Sequence, residues 1–453
     1  MLVRDGVVFA AGAAAGALCV VAVQRRRRSD RGRQSSSTSS TTAQPVLPPQ
    51  VKDLANRGDP KTPGPLRPHQ HEARMKERLE AKQQPSVQSS VDGAPRLKRS
   101  QSDAVREGIR EEVIREHAME RRKVVVRVPA TSANMGPGFD CLGMALNMWS
   151  EVTVERADAF QITYEGDGCA DVPTDETNLL VTGLRAAFEA AGKPVPPLRY
   201  HCVNRIPYAR GLGSSSAAIV AGLVAGLVLA GHKLPCWGTE SLLQLACSIE
   251  GHPDNVAPVI YGGCQLGIHN GERWQTERVN LPPGIQVVLF IPDFIGKTSD
   301  ARGVLESSVD RSDAVFSIGR VAWLINALQS SNLDNLRCGF QDKMHQPARA
   351  ASVYPYLDAM MDAAVAAGAC GAYLSGAGPT VAAITSGAAG DIFTQREAER
   401  VDKQQVAEAM LAAAKAEGVA GQVYITTPVE SGAYVVSAEP RFSEGIIRYQ
   451  GDV

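Results

Sequence analysis

The chain has 453 residues, enough for two or three domains around a large core. An apolar share of 44% with 5% aromatic residues is that of a water-soluble protein, and its nine cysteines form no C-x-x-C pair, which excludes a zinc-ribbon or disulfide framework and reads as core thiols in a reducing compartment. The formal net charge of −1 hides an asymmetry: residues 24–123 hold 23 basic against 13 acidic side chains, a net of +10, so the rest is near −11, and an acidic body argues against nucleic acid as a partner.

Residues 7–23 (VVFAAGAAAGALCVVAV) are apolar and run into Arg25–Arg28. At 17 residues, mostly Ala and Gly, the run is at the short end for a membrane span. The Ser/Thr-rich, Arg-containing, initially acid-poor stretch after it reads residues 1–33 as an organellar targeting segment, plastid ahead of mitochondrion, in contact with an import machinery. The alternative is a membrane anchor holding a cytosolic catalytic body. Residues 34–102, rich in Ser, Thr, Pro and Gln, lack the large apolar side chains needed to order and read as a disordered linker. Over 103–123, Val105, Ile109, Val113 and Ile114 share one stripe among charges, which predicts a surface helix.

The globular part opens at Val124 with a buried strand, VVVRVPATSA, followed by a polar Gly-rich loop and a second apolar segment. EVTVER alternates as a strand, QITYEG reads as the next, Asn178–Ala191 as a helix and LRYHCVNRIP as a strand. Then comes PYARGLGSSSAA. Glycines 211 and 213 allow a tight turn, and three hydroxyls stand where a small-residue helix begins. The first N–H groups of a helix have no partner within it and carry the positive end of its dipole, so this is the build of an anion site. It is not a P-loop, because no Lys precedes the hydroxyls. Thr239 opens a further helix to Glu250, and GHPDNVAPVIYGG gathers Glu250, His252, Asp254 and Asn255 within six residues. QVVLFIPD is a strand, IGKTSDARGVL a loop and Phe316–Leu328 a helix; DKMHQPAR leads an Ala-rich helix, GAYLSGAGPTVAAI is a second Gly loop between strands, and a helix and strand close the body. The alternation indicates an α+β body in two lobes, 124–283 and 284–440.

Three stretches agree on one family. PYARGLGSSSAA resembles the nucleotide loop of the GHMP small-molecule kinases, VPATSANMGPGFDCLG their first motif in its homoserine kinase form, and SGAGPTVAAI their third; EGHPDNVAPVIYGG and KTSDARGVL are similar to homoserine kinases as well. The resemblance spans about 124–436 with the motifs in the expected order. It implies the GHMP kinase fold, a ribosomal-protein-like βαβ lobe joined to a ferredoxin-like lobe, and transfer of the γ-phosphate of ATP, with Mg2+, to the hydroxyl of L-homoserine in threonine biosynthesis.

By the same resemblance, Pro207, Arg210, Gly211, Leu212, Gly213, Ser214, Ser215, Ser216 and Ala217 hold ATP, with Asn178 near the adenine. Ser214 and Glu250 are the metal ligands, the carboxylate being what a hard cation requires. Homoserine is a zwitterion: Asp140 suits its ammonium, Asn134 hydrogen-bonds it, and Arg302 and Arg349 face its carboxylate, where a guanidinium fork is bidentate. His252 and Asn255 approach the reacting hydroxyl, with Asp254 as the alternative base. A homodimer is the family's default. The sequence departs from the pattern after Arg302, where GVLESS stands in place of Leu-Pro. Against another GHMP kinase, acting on mevalonate or a sugar, stands the zwitterion set Asp140, Arg302 and Arg349, since an uncharged sugar needs no carboxylate clamp, and a silent binding protein has no use for intact metal ligands.

Overall fold

The computed structural model describes residues 119–231, 239–386 and 397–442. The segments read as targeting sequence, linker and charged helix lie outside the described residues, except 119–123. There the helix expectation fails: residues 119–122 are not helical, Lys123 opens the first strand, and Arg121 is buried with its guanidinium over the Phe442 ring.

In β1 (Lys123–Ala133), Val124, Val126 and Val128 face the core while Lys123, Val125 and Arg127 are half-exposed, as β-branched alternation requires. Pro129 cannot donate to the ladder, and the register with β2 (Leu142–Arg156) shifts between Pro129 and Ala130. Beyond the shift β1 is buried on both faces. The two segments read separately as an apolar run and EVTVER form this single strand β2. It continues to β4 (Leu198–Asn204), which lies parallel to β3 (Gln161–Gly166), the two joined by α1 (Leu179–Ala190). After α2 (Ser214–Ala230), α3 (Thr239–Glu250) and α4 (Pro253–Tyr261), the strands β5 (Cys264–His269) and β6 (Trp274–Val279) complete the lobe, β5 pairing with the start of β2.

No polar side chain follows Ser216 in α2, which is therefore a core helix apolar on all sides. Among the described residues, no helix is long and apolar enough to cross a membrane. Its contact with α1 is closer than side chains permit: a Cβ on Gly222 would lie 2.1 Å from the Leu180 carbonyl oxygen, and one on Gly183 would lie 2.3 Å from that of Ile219. Gly222→Ala should therefore destabilise the fold by about 1–3 kcal/mol through overpacking, although alanine gains about 1 kcal/mol of helix propensity. Gly319 lies in a helix with nothing within 4 Å of its Cβ position, so Gly319→Ala should stabilise by that propensity term alone. Chemical denaturation of the two variants measures both signs.

In the second lobe, β7 (Gln286–Pro292) is followed by α5 (Thr298–Gly303), α6 (Arg311–Gln329), α7 (Leu336–Gly339), α8 (Gln346–Ser352) and α9 (Leu357–Ala366). Then come β8 (Gly371–Leu374), β9 (Val381–Thr385), α10 (Glu397–Ala416) and β10 (Gly421–Thr426). The antiparallel order β10-β7-β9-β8 is ferredoxin-like, and Val288, Phe290, Met360, Val406 and Met410 are buried in its core. The boundary at 284–440 needs one correction: β11 (Tyr434–Glu439) pairs antiparallel with β1, so the chain returns to the first sheet before residue 440. A buried chain of hydroxyls ties the lobes: Ser132 Oγ lies 3.0 Å from Tyr373 Oη and 2.8 Å from Ser375 Oγ, which donates to the Gly211 carbonyl at 2.8 Å.

Candidate active site

A cleft of about 590 Å³ opens between the lobes, lined by the loop after β1, the start of α2, the ends of α3 and α5, the start of α4 and the loop after β8. It takes in most of the residues that the sequence assigned to one site; Pro207, Arg210, Leu212 and Ser216 do not line it.

At one end, Gly211 and Gly213 lead into α2. Gly213 is the cap residue with φ +71°, and no side chain caps the helix. A Cβ there would fall 1.9 Å from Thr131 Oγ1, so only glycine brings the loop this close to β1, where Thr131 N–H donates to the Leu212 carbonyl at 3.1 Å. The first turn of α2 thus presents backbone N–H groups without a capping side chain among the described residues, the requirement for a phosphate site. Arg210 supports the loop from outside: Nε and Nη2 donate to the carbonyls of Pro292 and Asp293 at 2.7 and 2.6 Å, and Nη1 to that of Tyr208 at 2.9 Å. Leu212 is fully buried. Asn178 caps α1, accepting from Leu180 N–H at 2.9 Å and bonding Tyr164 Oη, so its amide is occupied in fixing the cleft wall.

Glu250, at the end of α3, reaches the hydroxyls of α2. The partners are Ser215 (3.1 Å) and Ser216 (2.7 Å), both donating to Oε1, whereas Ser214 Oγ accepts from Ala209 N–H at 3.3 Å. The structure thus gives Glu250 the partners Ser215 and Ser216 in place of the expected Ser214; Glu250, Ser214 and Ser215 line the cleft beside the open helix end, while Ser216 is fully buried. A carboxylate with hydroxyl neighbours is the donor chemistry Mg2+ takes.

Across the cleft, α4 starts with Pro253 at its first position and His252 as cap residue. Gly143 of β2 lets it approach, since a Cβ there would collide with the Asp254 carbonyl. Asp254 is 2% exposed and bound to His252 Nδ1 in a short contact. Burial disfavours the charged imidazole of His252, but the Asp254 hydrogen bond and the charges of Asp254, Asp140 and Glu250 outweigh it and raise its pKa. Asn255 Oδ1 accepts from Thr131 Oγ1 at 2.7 Å, which leaves its amide nitrogen as the end able to donate to a ligand.

The third wall is the loop after β1, where Asn134, Met135, Gly136 and Asp140 all have positive φ. Asn134 is a bracket: Nδ2 donates to the Gly376 carbonyl at 2.7 Å and Oδ1 accepts from Asp140 N–H at 2.9 Å. Asp140 and Arg302, assigned to opposite ends of the substrate, pair with each other through two bonds of 3.0 and 2.7 Å. That hydrogen bond raises the pKa of Arg302 against the opposing effect of burial. Arg349 differs. It is 1% exposed, its Nε donates to the Ala301 carbonyl at 3.1 Å, its Nη1 to the Gly376 carbonyl at 3.1 Å and to His345 Nδ1 at 3.0 Å, and no carboxylate among the described residues forms an ion pair with it. Burial pulls its pKa down to about 10, which still leaves it charged at neutral pH. Phe139 lies 5.5 and 5.7 Å from the guanidinium carbons of Arg302 and Arg349 and 5.2 Å from the His345 ring. Sequence reasoning missed Phe139 and His345, although both flank residues it named.

The GHMP kinase N-terminal domain model matches residues 178–263 and the GHMP kinase C-terminal model residues 319–418. The chain is 42% identical over 313 residues to the homoserine kinase of Desulfitobacterium hafniense, covering 69% of this chain and all of that one. It is 41% identical to the homoserine kinase of Moorella thermoacetica, covering 69% of this chain and 99% of that one. Among solved structures, homoserine kinase from Cytophaga hutchinsonii is similar with a TM-score of 0.60 at 28% identity, over 70% of this chain and 98% of that one. With this fold, an open glycine-loop helix facing a carboxylate, and these relatives, the chain belongs to the homoserine kinase family of the GHMP kinases.

Proposed function

We propose that this cleft transfers the γ-phosphate of ATP to the side-chain hydroxyl of L-homoserine, forming O-phospho-L-homoserine. The observation that carries the reading is Arg349, a buried guanidinium with no carboxylate partner among the described residues, lining the same cleft as the Asp140–Arg302 pair. A buried cation is costly unless an anion meets it, so the site is built to receive a carboxylate. An ammonium on the same ligand suits Asp140. A zwitterion meets both demands, while an uncharged sugar meets neither.

The backbone N–H groups at the start of α2 hold the phosphates by hydrogen bonds that need no side-chain movement. Glu250, oriented by Ser215 and Ser216 and facing the same cleft as Ser214, would hold Mg2+, which when bound neutralises charge on the transferring phosphate. Asn255, fixed by Thr131, donates to the hydroxyl or to the phosphate and sets the line of attack. The hydroxyl proton leaves late in a loose transition state, and Asp254, oriented by His252, is the buried carboxylate available to take it.

Steady-state turnover of ATP with L-homoserine, L-serine, L-threonine, mevalonate and galactose tests the assignment. Homoserine should give the highest kcat/KM by at least about 100-fold, because the competitors lack either the charges or the hydroxyl reach. Preferential turnover of mevalonate or galactose would sink the substrate assignment. ATP binding without any turnover would make the chain a binding protein.

A further inference from the structure

His345 is fully buried, and its two ring nitrogens have different partners. Nε2 lies 2.7 Å from the Gly136 carbonyl, which can only accept, so Nε2 carries the proton. Nδ1 is therefore a bare lone pair, and it faces Arg349 Nη1 at 3.0 Å, a group that can only donate. Asp342 stands 3.6 Å from Nε2, but its carboxylate is already saturated by the N–H groups of Met344, His345 and Gln346 and by Ser317 Oγ, so it anchors the start of α8 and leaves the ring neutral. Burial and the neighbouring Arg349 charge push the His345 pKa down against the pull of Asp342, which agrees with that neutral state.

We infer that His345 is a positioning residue that fixes the Arg349 guanidinium on the substrate carboxylate while leaving its charge unquenched. The inference rests on the homoserine reading above. Its physical content is the choice of acceptor. Among the described residues, the three groups that accept from Arg349 are neutral: two backbone carbonyls and the Nδ1 lone pair. An Asp or Glu in the place of His345 would orient the fork equally well, but it would satisfy the charge internally and compete with the ligand. A neutral acceptor supplies orientation without competition, and the Nε2–H bond ties that orientation to the same loop that carries Asp140. The two poles of the substrate pocket are thereby held to one frame.

Two variants separate this role from simple packing. Asn places a side-chain oxygen close to the position of Nδ1 and keeps the acceptor for Arg349, whereas Gln places its amide nitrogen close to Nε2 and keeps the donor to Gly136. Steady-state constants for L-homoserine and ATP, and the thermal midpoint, are measured on the full chain for the wild type, His345→Asn, His345→Gln, Arg349→Met and the Gln/Met double variant. His345→Gln should raise the homoserine KM about tenfold, with kcat and the ATP KM within about twofold, because a misaimed clamp weakens ground-state and transition-state binding alike. His345→Asn should change the homoserine KM by less than about threefold. In the Arg349→Met background the Gln substitution should cost nothing further, since its effect runs through the guanidinium. Equal effects of Asn and Gln, no effect of either, a larger effect of Asn, or an undiminished Gln effect without Arg349 would each overturn the inference. Failure of the wild type to use homoserine would overturn the homoserine reading, a result seen before any variant is made and therefore distinct from failure of the His345 role.

Discussion

Arg349→Met should raise the KM for L-homoserine by about 100-fold, with the ATP KM close to the wild-type value. The magnitude follows from losing a charge-assisted, bidentate contact to a carboxylate in a site screened from water, about 3 kcal/mol, converted at 1.36 kcal/mol per tenfold. The change is not a simple gain or loss for the fold. Methionine removes a desolvated charge, which favours the folded state, and leaves the Ala301 carbonyl and the His345 lone pair without that donor, which opposes it, whereas Gly376 keeps its bond from Asn134. These terms are each about 1–3 kcal/mol and opposed, so the unfolding midpoint should move far less than the KM. Arg349→Lys is the sharper control, because it retains charge but loses the planar fork; its homoserine KM should stay well above the wild-type value. If Arg349→Met left the homoserine KM unchanged, the guanidinium would be a structural strut and the carboxylate would have to meet Arg302 alone.

The contrast between Arg349 and Arg302 also shows how far the sequence could be read. Both arginines were legible as members of one site because each lies in a short motif whose neighbours are also in the cleft. Their different electrostatic states were not. Arg302 is matched by Asp140, 162 positions away, and Arg349 is held by neutral acceptors from two other segments. Within HQPAR only His345 contributes an acceptor, and that it accepts as a neutral ring depends on the distant Gly136 carbonyl at its other nitrogen. The hydroxyls on Glu250 follow the same rule: GLGSSS announces three serines at a helix start, but which of them meets the carboxylate depends on how α3 crosses α2. Asn134 and Asp140 show a third limit. Their residue types suit a substrate pocket, yet both sit at positive φ, where Asn and Asp are the side chains a tight loop tolerates best, so one choice serves backbone and chemistry together. Outside the site, the α+β alternation revealed both lobes, while the return of β11 to β1 was hidden because its partner strand lies some 300 residues earlier. The charged run before Val124 misled for a related reason: Arg121 reads as surface in a helical stripe, yet it is buried with the ring of Phe442, far along the chain, over its guanidinium.

Glu250→Gln should lower kcat about 10³-fold and raise the Mg2+ concentration needed for half-maximal rate, while the fold is unaffected. The substitution is chosen because it separates the acceptor role of this side chain from its proposed role as metal ligand. As a hydrogen-bond acceptor, Oε1 holds Ser215 and Ser216; glutamine keeps that oxygen, so the end of α3 stays docked against the start of α2 and the thermal midpoint should move by only a degree or two. As a charge, the carboxylate is what a hard divalent cation requires from this otherwise neutral set of hydroxyls, and an amide oxygen supplies no net charge in return. Loss of several kcal/mol of charge stabilisation at the transferring phosphate corresponds to about 10³ in rate at 1.36 kcal/mol per tenfold. The homoserine KM should be much less affected, since the groups proposed to bind its charges are Asp140, Arg302 and Arg349. Ser216→Ala is the complementary variant: it removes one hydroxyl that orients Glu250 but leaves the charge, and should cost about tenfold in kcat, in keeping with one hydrogen bond to a carboxylate of about 1.5 kcal/mol. If Glu250→Gln retained full activity with an unchanged Mg2+ requirement, the metal ligand would lie elsewhere in the cleft, and the cluster of Asp140, His252 and Asp254 would be the place to seek it.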